Sequence, residues 1–75
     1  MADERYLNLL QGHGYNIYGP AKVIAAGRIA CQNLALTHDL LTTERWLHSN
    51  FGGSEDQAHW VTIDASVIYC PNTPC

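Results

Sequence analysis

Two of the chain's three cysteines sit where they most constrain the fold. Cys31 falls within a helical segment built on Val23, Ile24, Gly27, Ala30 and Leu34, and Cys70 closes a second segment that starts at Ser54. A bond between them would lock the two ends of the fold together. The third, Cys75, follows Pro74 at the chain end. An odd count leaves the pairing open on these grounds alone. Cys70 with Cys75 is within reach along the chain, although Pro71 and Pro74 restrict closure, and in a reducing compartment all three would be free thiols.

A crosslink matters because length limits the core. A chain of 75 residues supports one domain, 1–75. A domain of that size buries only about 60% of its unfolded surface and is marginal unaided, which is why small secreted domains carry disulfides. Hydrophobic content of 47% with 15% charged residues fits a folded globule and not a disordered tail. A net charge of -3, with only four Lys plus Arg, argues against nucleic acid and against a polybasic membrane helix, since both need a basic face. No apolar run approaches the roughly 20 residues of a membrane span. The chain opens with a polar helix rather than a signal peptide, so Met1 reads as an initiator added to a mature exported chain.

Periodicity predicts four helices. Over Ala2 to Gln11, Tyr6, Leu9 and Leu10 share one side with Leu7 at its edge, and Asp3 and Glu4 suit the first turn. Gly12 to Gly19 reads as a loop. Pro20 opens the second helix, whose broad face holds Val23, Ile24, Gly27, Ala30, Cys31, Leu34 and Ala35. Gly27 costs about 1 kcal/mol in mid-helix, so close approach of a neighbour is its expected purpose. After a break at Thr37 to Asp39, Leu40, Leu47 and Phe51 line a short third helix beside Trp46, with Asp39, Thr42 or Thr43 as candidate caps. Gly52 and Gly53 end it, and Ser54 with Gln57 forms a capping box for the fourth. That last helix carries two apolar stripes, Ala58-Val61-Ala65-Ile68-Tyr69 and Trp60-Ile63-Val67-Cys70, and is expected to be central. Asp64 between them is expected to reach solvent or a polar partner.

The order of these features resembles a known family. An acidic start precedes Tyr6-Leu7-x-Leu9-Leu10, a glycine loop, and Gly27-x-x-x-Cys31-x-x-Leu34. The capped segment Ser54-x-x-Gln57-Ala58-x-Trp60-Val61 follows, ending in Ala65-x-x-x-Tyr69-Cys70-Pro71. From about Asp3 to Pro71 the chain is similar to the domain of unknown function 732 family, small exported proteins of mycobacteria and relatives. The resemblance implies a helical domain with one intrachain disulfide, here Cys31 with Cys70, and implies export. It implies no activity. The chain departs from the family pattern around Leu36 and Thr37, where a glycine is common, and in adding Cys75, whose pairing the family does not decide.

No catalytic, phosphate-binding or metal motif stands above background. Without a Cys-x-x-Cys, and with Cys31 on an apolar face, a structural disulfide outweighs a reactive thiol. No two of His13, His38, His48 and His59 have the spacing of helical metal ligands, so they read as solvated. Asp39, Glu44, Glu55, Asp56 and Asp64 include no recognisable acid–base pair, and Gly52-Gly53-Ser54 is a helix cap and not a nucleophile elbow. The glycine loop lacks the ending of a phosphate cradle, and its tyrosines suit either a contact surface or core cover.

The expectation is therefore an all-α, single-domain bundle of about four helices, with 3–71 as ordered core and 72–75 as a flexible tail. Its second and fourth helices run roughly parallel. It is read as an exported or cell-envelope monomer with no enzymatic turnover and no cofactor, acting as a protein-interaction or binding module. Tyr15, Tyr18 and Trp60 are the candidate interaction residues, and Cys75 is a free thiol or the link of a covalent dimer. A small-ligand or haem carrier is the alternative, separable by a haem titration read in the Soret band.

Overall fold

Each helix begins and ends where local chemistry directs. α1 (Ala2–Gly12), α2 (Pro20–Thr37), α3 (Leu40–Phe51) and α4 (Glu55–Ile68) follow one another in a computed structural model that describes residues 1–72. No strand occurs among the described residues. Pro20 occupies the first turn of α2. Asp39 caps α3, accepting from the Leu41 N–H at 3.1 Å and the Thr42 hydroxyl at 2.7 Å. Ser54 and Gln57 form the capping box reciprocally: the Ser54 hydroxyl accepts from the Gln57 N–H at 3.0 Å, and Gln57 Oε1 accepts from the Ser54 N–H at 3.2 Å. Gly52 and Gly53 adopt φ of 76° and 77°, left-handed values that let α4 fold straight back on α3. His38 takes the left-handed position at the end of α2, φ 54°, where glycine is the usual residue.

α4 is the central helix and packs against all three others. Val23 and Ala26 of α2 share a cleft with Ala58 and Val61 of α4, and farther on Cys31 is bonded to Cys70. The contacts advance in the same direction along both helices, so α2 and α4 run parallel. The disulfide joins Cα atoms 6.0 Å apart across 39 positions, just beyond the end of α4.

The core is made of Tyr6, Leu10, Ala26, Ala30, Leu34, Leu47, Ala58 and Ala65. Gly27 admits a side chain and not a helix backbone: a Cβ there would lie 2.7 Å from Cζ of Tyr6. Tyr6 is wholly buried against it and donates to the Val23 carbonyl at 2.8 Å. A surface cluster ties the start of α1 and the end of α4 to α2. Tyr69 donates to Asp3 at 2.5 Å, Arg28 reaches Asp3 at 2.8 Å, and the guanidinium lies over the Tyr69 ring. The bond from Tyr69, ahead of Arg28, holds the Asp3 carboxyl low, and burial followed by Asp3 pushes the Tyr69 phenol up to about 12.

Several expected faces are redrawn. Leu9 is at the surface and Leu7 packs on the core instead, while Tyr6 is buried against Gly27 of α2. Ala35 is exposed and Ala26 is buried. The Trp60-Ile63-Val67-Cys70 stripe is not buried throughout, since Val67 is 56% exposed. Thr43 and Thr62 are buried instead, satisfied by Asn33 Oδ1 and the Ala58 carbonyl, each at 2.8 Å. The tail over 72–75 and the state of Cys75 fall, apart from Asn72, outside the described residues.

Candidate functional site

The α1–α2 loop lies across the start of α4 and leaves a cleft beneath it. Leu10, Ile17, Val23, Leu47, Phe51 and Val61 supply its apolar wall. Lys22, Asn16 and Gln57 supply the polar part of the lining. The cleft measures about 210 Å³ and is open to solvent. It exists because three elements converge on small residues: Ala26 of α2, Ala58 of α4, and the Gly52-Gly53 turn.

Two side chains hold the loop to α4. Tyr15 donates to the Asp56 carboxylate, a bond that raises the Tyr15 phenol further than its burial does. His13 lies with Nδ1 2.9 Å from Oδ2 of Asp64. Its ring stacks on Trp60 with centroids 3.8 Å apart and planes 21° apart. The Asp64 side chain is 3% exposed and that of His13 29%. Burial pushes the Asp64 carboxyl up, and His13 opposes that shift without cancelling it. A buried carboxylate needs a partner, and the loop delivers it.

The histidines are therefore not the solvated set that spacing suggested. His13 serves Asp64, His59 sits 3.1 Å from Glu44, and Nδ1 of half-buried His48 has no hydrogen-bond partner. Glu44 with His48 and Glu55 with His59 repeat the same four-residue step on facing helices, yet among the described residues no three such groups gather into a metal site. Of the two carboxylate–imidazole pairs missing from the sequence reading, the buried one is Asp64 with His13, separated by 51 positions. No local spacing signals it. A polar residue between two apolar stripes and a histidine in a glycine loop were the only traces.

Of the three candidate interaction residues, Tyr15 lines the cleft. Trp60 supports the loop through His13 and lies outside the cleft lining. Tyr18 is 90% exposed and stands apart from both.

A family model described as a protein of unknown function, DUF732, matches residues 2–72. The chain belongs to the DUF732 family. The match runs through every element that builds the cleft, from α1 to the residue beyond Pro71. Neither the curated proteins nor the solved structures include a match to the chain.

Proposed function

We propose that this DUF732 domain is a non-catalytic, exported interaction module whose cleft receives an apolar side chain of a protein partner. The cleft's size carries the reading. Sites that enclose a whole small ligand run about 300–1,000 Å³, whereas a cavity of about 150 Å³ holds benzene. At about 210 Å³ the cleft suits one large side chain, the anchor that dominates many interfaces. The disulfide favours an oxidising location such as the envelope or the exterior. With Cys31 and Cys70 paired, Cys75 is the odd thiol and the proposed link of a covalent dimer.

The carrier reading has less support. Haem is larger than the cleft, and among the described residues none of the four histidines lines it.

The test is a titration of labelled protein with short soluble peptides presenting Phe, Leu or Trp between polar residues. Saturable shifts at Ile17, Val23 and Val61, abolished by Val61→Trp, are expected. Shifts confined to other faces, or persisting in Val61→Trp, overturn the reading.

A further inference from the structure

The same loop that walls the cleft through Tyr15, Asn16 and Ile17 is fastened by His13 to a buried carboxylate. We propose that the His13–Asp64 contact is an acid-released latch and that the α1–α2 loop is a lid on the cleft. The proposal concerns regulation of that cleft and rests on the binding reading for its purpose, although not for its chemistry.

The geometry separates the lid from the fold it covers. Asp64 belongs to the buried side of α4, among Ala58, Thr62 and Ala65. His13 caps α1, its N–H bonded to the Leu9 and Leu10 carbonyls, and the cleft-lining residues Tyr15, Asn16 and Ile17 follow almost at once, so its side chain fixes where α1 delivers the loop onto α4. While Asp64 is ionised, the imidazole N–H is the donor that compensates its burial. Once a proton adds to the carboxylate, the resulting acid no longer carries a charge that needs His13. Burial favours protonated Asp64, so the core tolerates the released state.

Charges on the surrounding elements do not replace His13. On α4 itself His59 acts on Asp64 but is engaged by Glu44 of α3. On α1 the Tyr6 phenol is driven upward by burial and stays neutral. On α2 Arg28 is engaged by Asp3 and Tyr69. The second tether, Tyr15 to Asp56, is a solvent-exposed hydrogen bond to a different carboxylate.

The experiment is a pH titration of the isotope-labelled, disulfide-intact protein by nuclear magnetic resonance. It follows the Asp64 carboxyl carbon and the amides of Gly14 and Ile17. The expected result is one shared inflection, displaced upward from the ordinary aspartate value, at which the loop signals move while the amides of Ala30 and Ala65 hold still. Asp64→Asn should lose the inflection and show the released loop shifts already at neutral pH, with the helical amides in place. Loop amides that stay flat while Asp64 titrates overturn the latch, as do helical amides that move with the loop. Repeating the peptide titration on each side of the inflection keeps the two readings apart. A loop that releases without any peptide binding retains the latch and rejects the cleft. Peptide binding with a flat loop does the reverse.

Discussion

Nδ1 of His13 and Oδ2 of Asp64 lie 2.9 Å apart, so the residue that caps α1 partners a carboxylate that α4 has buried. The sign of its effect on stability is fixed. Burial raises the folded pKa of Asp64 above its unfolded value. Such a group supports the fold below the unfolded value, and that support is lost as pH rises through the folded one. Asp3 and Asp39 act oppositely: their carboxyls are held low, chiefly by Tyr69 and Thr42, so their support is lost as pH falls. Comparing Asp64→Asn with wild type isolates Asp64. The variant should melt at a higher temperature at pH 7, and its advantage should shrink as acid protonates Asp64 in the wild type. A lower melting temperature at pH 7 contradicts this account.

The disulfide should be worth several kcal/mol. Closing a loop of 39 positions gives about 4 kcal/mol in the chain-entropy treatment, an upper figure. A domain this small has a total of about 5 kcal/mol. Urea melts should show most of the stability lost on reduction or in Cys70→Ser. Peptide mapping without reductant should recover Cys31 joined to Cys70, and Cys70 joined to Cys75 as the major species is the contrary result.

Gly27→Ala should destabilise, although alanine is the better helix former by about 1 kcal/mol. The new methyl meets Tyr6, which is wholly buried, bonded to Val23 and packed 5.0 Å from the Tyr69 ring. Overpacking of this kind costs about 1–3 kcal/mol. Thermal melts of Gly27→Ala and of Gly27→Ala with Tyr6→Leu decide it: the second change should relieve part of the first, and strict additivity speaks against a clash.

The outward stripe of α4 and the core that α3 packs against it should differ in consequence. Val67→Ala changes a residue 56% exposed and should cost under about 0.5 kcal/mol. Leu47→Ala, which opens the core of α3 opposite α4, should cost about 2–5 kcal/mol. Denaturant midpoints of the two variants check the contrast, and a large loss from Val67→Ala refutes the assigned exposure.

The fold was legible wherever one residue decides a local geometry. Pro20, Asp39, Ser54 with Gln57, and the Gly52-Gly53 turn place the helix ends because their chemistry acts within four residues. The central position of α4 followed from its two apolar stripes. Faces were less legible, because which side of α1 turns inward depends on where the Tyr6 ring finds Gly27, and that is settled between helices. Buried Thr43 was illegible for the same reason, and for Asp64 the need of a polar partner was legible but not which residue supplies it. Their partners, Asn33 and His13, lie 10 and 51 positions away. Of the site, Tyr15 and the glycine loop were visible as candidates, and the cleft beneath them was not. It is a gap among small residues from separate helices, and no one segment encodes it.

The central claim is that the cleft seats a partner's apolar side chain. Intermolecular nuclear Overhauser effects between a Phe-bearing peptide and the protein's methyl groups test it most directly. The account predicts contacts from the phenyl ring to Leu10, Val23, Leu47 and Val61, all of which line the cleft. Contacts to the exposed Leu36, Leu41 or Val67 in their place would contradict it.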